Sequence, residues 1–373
     1  MSGRKALRIG TRASALALWQ AHHVESLIKG LDGAPPVELV HIKTEGDLRT
    51  DVPLWALRGR AFFTKEIDRA LLAGEVDLAV HSLKDLSTVL DAGLELAATL
   101  TREDPRDALL TRTGVGLKDL PKGARVGTSS LRRRAFLARM RPDLTLLELR
   151  GNVPTRVEKL KSGEYDAIVL AAAGLRRLGL EGHISELLPS EEFPSAVSQG
   201  VIGIACRSDD AETLRWLRPL DDAPARLAAT AERALLRRLE GGCQVPLGAL
   251  GISAGNSLHL YAAVCALDGS EWLTARGQAP AEAQEAVKLG QRLADELLAK
   301  GAGRLIAQER AGHAAQGSAA QGAAVHGAAT QGVTAQVMAA QGTSAQGEAT
   351  QGTAAQGSSA AASPRGSSSK AGS

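Results

Sequence analysis

The chain has 373 residues, 44 of them Lys or Arg against 41 Asp or Glu, for a formal net charge of +3. Near-neutrality with only 3% aromatic residues excludes the basic face and stacking platforms of a nucleic-acid binder. No apolar run approaches the ~20 residues of a membrane span, and Met1 to Arg8 carries no apolar signal region, so a soluble, cytoplasmic protein is expected. Cys206, Cys243 and Cys265 lack the paired spacing of a zinc site or a disulfide framework, and no metal is expected.

In chain order, helix and strand patterns alternate. Ser14 is placed to cap a helix over Ala15 to Ile28, with Leu16, Trp19, His23 and Leu27 along its apolar face. Thr64 precedes a helix over Lys65 to Leu72 that Gly74 stops, and Val76 to Val80 reads as the strand after it. Strands over Ala124 to Val126, Leu144 to Leu149 and Ala167 to Leu170 alternate with helices over Leu131 to Met140, Pro154 to Lys161 and Leu175 to Leu178. This succession predicts parallel, doubly wound α/β sheets. The region from Asp222 to Ala307 reads as a separate α+β domain ending in a long helix, Ala281 to Ala299. Beyond it, Gln-Gly recurs at a five-residue period from Gln316 to Gln356, with His326-Gly327 and Gln336-Val337 in the two slots that break it, and that period fits neither helix nor strand. A disordered tail is therefore expected over 308–373. Truncation after Ala307 is expected to leave activity and melting temperature nearly unchanged, and a clear loss of either would show that the tail docks on the body.

Ligands of open α/β sheets sit beyond the carboxyl ends of the strands. Candidate anion binders cluster at such junctions: Arg12 and Ser14, Ser129 with Arg132 and Arg133, Arg150 with Arg156, and Arg177. Single arginines are ordinarily solvated surface charges, but six at strand-to-helix junctions of a nearly neutral chain suggest a pocket for a small molecule bearing several carboxylates. His81, Lys84 and Asp85 close another strand; a carboxylate beside an ammonium there is a candidate acid/base or cation stabiliser, or an ordinary cap or ion pair. His81 reads as a packed structural histidine. Cys206 and Cys265 lie in apolar runs and read as buried, whereas Cys243 sits in the tight turn Glu240 to Pro246, a site for a nucleophile or a covalent attachment.

These segments, in order from Leu7 to Ala307, resemble the porphobilinogen deaminase family. The resemblance runs through Thr11-Arg12-Ala13-Ser14, Val80-His81-Ser82-Leu83-Lys84-Asp85, Arg102 to Asp107 and Gly127-Thr128-Ser129-Ser130-Leu131-Arg132-Arg133. It continues in Leu149-Arg150-Gly151-Asn152-Val153, Gly163 to Ile168 and, most specifically, Leu239-Glu240-Gly241-Gly242-Cys243-Gln244-Val245-Pro246. It implies a transferase that condenses four porphobilinogen molecules into the linear tetrapyrrole hydroxymethylbilane with release of ammonia. It implies Asp85 as the catalytic carboxylate and a dipyrromethane cofactor held as a thioether by Cys243. Arg132, Arg133, Lys84, Ser129, Arg150 and Arg156 would bind the cofactor, and Arg12, Ser14, Arg177 and Gln199 the substrate. The implied fold has three domains, the first two like the lobes of type-II periplasmic binding proteins. These are domain 1 at 1–101 and 200–219, domain 2 at 102–199, and an α+β domain 3 with the attachment loop at 220–307. A monomer is implied, its product passing to uroporphyrinogen-III synthase.

The chain departs from the family pattern at Gly59-Arg60-Ala61-Phe62-Phe63, at Leu86-Ser87-Thr88 in place of Val-Pro-Thr, at Ser198-Gln199-Gly200 in place of Gly-Gln-Gly, and at Ala205 in place of glutamate. Two rivals remain. One is a non-enzymatic two-lobed binding protein for a carboxylate-rich ligand, disfavoured by the third domain. The other is a cysteine-nucleophile enzyme, disfavoured by the lack of a histidine near Cys243.

Overall fold

The computed structural model describes residues 6–48, 64–239 and 245–308, all within a compact unit that spans 1–317. The loop expected at Gly59 to Phe63, the Cys243 turn and the repeat tail lie outside the described residues.

The chain begins with β1 (Leu7–Thr11), α1 (Ala15–Lys29), β2 (Val37–His41), the short α2 (Glu45–Leu48), α3 (Lys65–Leu72), β3 (Leu78–Ser82) and β4 (Leu94–Thr99). It crosses to β5 (Asp107–Thr111), β6 (Arg125–Gly127), α4 (Leu131–Met140), β7 (Thr145–Leu147), α5 (Val153–Lys161), β8 (Ala167–Ala171), α6 (Ala172–Arg177) and β9 (Glu186–Leu187). It then returns as β10 (Ile202–Arg207) and α7 (Ala211–Leu217). Last come α8 (Ala223–Arg238), β11 (Leu247–Ala254), β12 (Ser257–Cys265), β13 (Trp272–Pro280) and α9 (Ala283–Ala299).

Three sheets result, in the orders β2-β1-β3-β10-β4, β7-β6-β8-β5-β9 and β11-β12-β13. The first two are doubly wound and the third is a small antiparallel sheet. In the first, Val24 and Ile28 of α1 pack on one face of the sheet and Ile67 and Leu71 of α3 on the other. In the third, Leu235 of α8 and Leu289 and Leu293 of α9 cover Leu258 and Leu260 of β12.

The expectation of parallel sheets needs correction. β10 runs antiparallel to β3 and β4, and β5 antiparallel to β8 and β9. The two segments that pass between the sheets, 100–106 and 188–201, deliver each strand from the opposite end, and an apolar run carries no information about direction. The first apolar face is also corrected. The buried residues of α1 are Gln20, Ala21, Val24 and Ile28, whereas Trp19 is 37% exposed. The face with Leu16 and Trp19 turns toward α6 of the second sheet: the Arg177 guanidinium lies 5.8 Å from the Trp19 ring centre. Gln20 tolerates burial because its amide exchanges hydrogen bonds with Ser82 Oγ, the shorter at 2.8 Å, which satisfies both groups. β3 begins at Leu78 rather than Val76, since Asp77 is used to pair Arg8 at 2.7 Å. The expected turn Ala171 to Gly174 forms the opening of α6.

The paired crossings are fastened to the third sheet by one carboxylate. Glu232 of α8 is fully buried. Its Oε1 accepts from Arg102 Nη1 at 2.5 Å and from the Gly251 amide at 2.7 Å, and its Oε2 accepts from the Ser198 amide at 2.5 Å. Ser198 is held at φ 63°, a left-handed conformation that costs a residue with a Cβ about 1 kcal/mol and glycine nothing. Two residues on, Gly200 has φ 91°, and a Cβ there would lie 2.3 Å from the Glu103 carbonyl oxygen. The crossings touch too closely for any side chain at that position.

Candidate active site

A cleft opens where the first two sheets face each other, and Ser82, Lys84, Arg133, Arg156, Arg177 and Gln199 are among the residues that line it. Most of the polar side chains arrive at the end of a strand or the start of a helix, while Arg177 ends α6 and Gln199 lies on the crossing that precedes β10. Ser82 ends β3, and a 3-10 turn, Leu83–Asp85, places Lys84 and Asp85 beyond it. Ser130 caps α4 by accepting from the Arg133 amide, and Asn152 caps α5 by accepting from the Thr155 amide. These caps set the start of each helix and hence where Arg133 and Arg156 project.

Cationic charge is concentrated and only partly compensated. Burial pulls the Lys84 ammonium down to about 8, with Asp85 opposing the shift and Arg133 reinforcing it. Burial, then Arg133 and Arg150, bring Arg156 down to about 10, while Glu148 and Asp85 favour its charge. Burial likewise brings Arg177 to about 10, opposed by Glu103. Its Nη2 donates to the Gly200 carbonyl at 2.6 Å. Lowered basicity in neighbouring cations means that an incoming anion would be favoured by each of them.

One buried carboxylate organises the rest. Asp107 is inaccessible to solvent. Its Oδ2 accepts from Arg132 Nη2 at 2.6 Å, and its Oδ1 from Arg133 Nη2 at 2.7 Å and from Gln199 Nε2 at 3.0 Å. The Gln199 Oε1 in turn accepts from Lys84 Nζ at 3.2 Å. Burial alone would raise the Asp107 pKa, but Arg132 and Arg133 overcome it and leave about 2. Lys84 on the first sheet is thus joined through Gln199 to the arginines of α4.

The structure gathers Lys84, Arg133, Arg156, Arg177 and Gln199 around one cleft. Asp85 is exposed beside Lys84, close enough to Arg156 to support its charge. Arg132 does not line the cleft: its guanidinium sits 5.7 Å from the ring centres of both Phe136 and Phe193 and donates to Asp107 and to the Pro194 carbonyl. Ser129 Oγ is used on the Leu149 carbonyl, and Ser14 Oγ caps α1. Arg12 lies near enough to His81 to add to the burial that brings the His81 pKa down to about 4. Arg150 lowers the basicity of Arg156 without lining the cleft itself. Cys206 and Cys265 are buried, their thiols pushed up by burial to about 12 and 11, so neither is a ready nucleophile. Asp107, Glu148 and the Gln20–Ser82 pair were missed in sequence. Asp107 stands directly at the head of the apolar run Ala108-Leu109-Leu110, as Asp77 and Asp166 do before theirs, so position alone did not single it out.

Two α/β sheets around a cationic cleft, with a smaller sheet fastened to their crossings, define a two-lobed α/β protein built to take an anionic small molecule. A nutrient-binding protein from Burkholderia cenocepacia bound to methionine aligns with 57% of this chain and 90% of its own, at 16% identity and a TM-score of 0.37. Residues 7–215 match the family described as porphobilinogen deaminase, dipyromethane cofactor binding domain, and residues 226–299 match the porphobilinogen deaminase C-terminal domain. A porphobilinogen deaminase of Roseiflexus sp. (strain RS-1) is 52% identical over 304 residues, covering 82% of this chain and 99% of its own. One of Trichlorobacter lovleyi is 48% identical over 305 residues, covering 82% and 96%. The chain belongs to the porphobilinogen deaminase family.

Proposed function

We propose that this protein is a hydroxymethylbilane synthase, a transferase that joins four porphobilinogen molecules head to tail in tetrapyrrole biosynthesis. The observation that carries the reading is the gathering of Lys84, Arg133, Arg156 and Arg177 around one cleft beside the exposed Asp85. Each pyrrole brings an acetate and a propionate, so the ligand matches a donor set whose cations burial has made less basic. The same match is the test of fit for a dipyrromethane, and the residues present fit it. Lys84, Arg133 and Arg156 would hold its carboxylates and Cys243 would anchor it, with Ser129, Arg132 and Arg150 shaping that wall. Arg177 and Gln199 would meet the incoming porphobilinogen, with Arg12 and Ser14 at the head of α1. When bound, the dipyrromethane supplies the pyrrole carbon from which the chain grows.

Asp85 acts on the substrate. As the carbon–nitrogen bond of the aminomethyl group breaks, ammonia leaves with the bonding electrons and positive charge spreads over the pyrrole ring. A carboxylate positioned there stabilises charge that exists only near the transition state, so its effect falls on the chemical step. A carbon–carbon bond then forms and the ring proton is lost; a water supplies the terminal hydroxyl on release. Lys84 and the arginines bind and orient the carboxylates. We further propose the domain division 1–101 with 200–219, 102–199 and 220–307, a cytoplasmic monomer, and transfer of product to uroporphyrinogen-III synthase. Among the described residues no helix is long and apolar enough to cross a membrane.

The test is the intact mass of the purified protein. The parent should carry a covalent excess of two linked pyrrole units, and Cys243→Ser should carry none. Serine is scarcely ionised near neutral pH, whereas a free cysteine, with a pKa of ~8.5, supplies a few per cent thiolate. Cys206→Ser and Cys265→Ser should retain the adduct. An adduct on Cys243→Ser, or none on the parent, would overturn the attachment site.

A further inference from the structure

The carbonyls that follow Asp85 are gripped by a helix of another sheet. Asp85 closes the 3-10 turn, and Leu86 leaves it extended at φ −83° and ψ 133°. Leu83 and Leu86, on either side of the Lys84-Asp85 pair, are buried in a small cluster with Val201 and with Ala229 of α8. One helical step further along the same face of α8 is Arg233. Its Nη1 donates to the Leu86 carbonyl at 3.0 Å and its Nη2 to the Ser87 carbonyl at 2.5 Å. A further step on, Arg237 Nη2 donates to the Thr88 carbonyl. Ala229, Arg233 and Arg237 recur at intervals of four, so one stripe of α8 lies along three consecutive peptide units. A planar fork that meets two successive carbonyls defines orientation as well as contact.

From this geometry we infer that Arg233 is a positioning residue for the Asp85 carboxylate, fixing the backbone that follows it from the α8 side. The inference rests on the reading of Asp85 as the group that acts on substrate. The buried leucines fix where the turn sits, and the Leu86–Ser87 peptide adjoins it, so a rotation of that peptide reaches Asp85 by shifting the Leu86 backbone. Serine at position 87 has no ring to restrict φ; its Oγ accepts from the Val89 amide at 3.3 Å, and the hold on the Leu86 and Ser87 carbonyls comes from Arg233, outside the segment. Asp85 is itself exposed and is drawn electrostatically to Lys84 and Arg156, an attraction that leaves its direction to the backbone. The helix that supplies the restraint ends at Arg238, a few residues before Cys243 in the chain.

The experiment compares the holoenzyme forms of the parent, Arg233→Met, Ser87→Pro and the double variant, with Asp85→Ala as reference. Methionine keeps the apolar stem and removes the donors. Arg233→Met should lower kcat by about tenfold or more with KM within about twofold, the pattern of a misplaced reacting group rather than lost binding. Hydrogen exchange at the Leu86 amide, which donates to the Leu83 carbonyl, should rise in the same variant without substrate, a readout independent of turnover. Ser87→Pro fixes φ from within, and the extended Leu86 suits a following proline. In the double variant it should restore most of the lost kcat and slow the exchange. Parent-like kcat and exchange in Arg233→Met would overturn the inference. So would a loss of kcat that the proline leaves unchanged, since that marks a general packing role. Undiminished turnover in Asp85→Ala would instead remove the carboxylate reading on which the clamp rests, whatever Arg233→Met does.

Discussion

Asp85→Ala is expected to abolish turnover while leaving the fold and melting temperature close to the parent's. The side chain is exposed, and its neighbours Leu83 and Leu86, not the carboxylate, carry the packing of the turn. Removing a preorganised charge from a developing cation costs on the order of 100- to 1,000-fold in rate when one such group is lost, and among the described residues none of those lining the cleft carries a carboxylate that could stand in for Asp85. Glu148, the nearest acidic alternative by its effect on Arg156, lies on the far lobe at the end of β7. Asp85→Glu keeps the charge but moves it by a methylene, and a severe loss is expected there too, because near-attack geometry tolerates little displacement. Measurement of hydroxymethylbilane formation beside thermal unfolding separates the two effects. Near-parental product from Asp85→Ala would sink the assigned role.

Asp107→Asn should act in the opposite manner, on stability first and on activity through it. Asp107 is the shared partner of Arg132 and Arg133, which are 4% and 8% exposed. Neutralising it leaves two buried guanidiniums without their counter-ion, a change that costs roughly 3–5 kcal/mol and lowers the melting temperature by about 10 °C. The pH dependence gives a second readout. The folded-state pKa of about 2 lies below the ordinary carboxylate value near 3.9, so folding binds the ionised form. That contribution, on the order of 2 kcal/mol, is complete above pH ~4 and is lost as pH falls through about 2. The parent should therefore lose stability over that window, and Asp107→Asn should show a flatter acid limb. Equal acid limbs in the two proteins would mean that the pairing seen here does not set the stability. Because Gln199 joins Asp107 to Lys84, the variant should also raise KM for porphobilinogen.

Much of the architecture was legible because local signals recur at fixed spacing. The helices over Lys65 to Leu72 and Leu131 to Met140 have the bounds that their caps and apolar periods predict. The positions of Lys84, Arg133, Arg156 and Arg177 at strand-to-helix junctions follow from the same reading, since a junction in an α/β sheet is by construction at the sheet's carboxyl end. Tertiary structure alone decided three further matters. The direction of β5 and β10 depends on which end of a sheet the crossing segments reach, and a strand's residues read alike in either direction. The buried face of α1 was misjudged because Gln20 is apolar in effect only once Ser82 satisfies its amide. Arg132 and Arg133, adjacent, chemically alike and both paired with Asp107, were separated into a structural and a cleft-lining guanidinium by the Phe136 and Phe193 rings and the Pro194 carbonyl that hold Arg132. Side-chain type and spacing determine which groups a segment offers; whether a charge meets a ligand or a buried counter-ion depends on what distant parts of the chain bring within about 3 Å of it, because charge-assisted hydrogen bonds act only at that range.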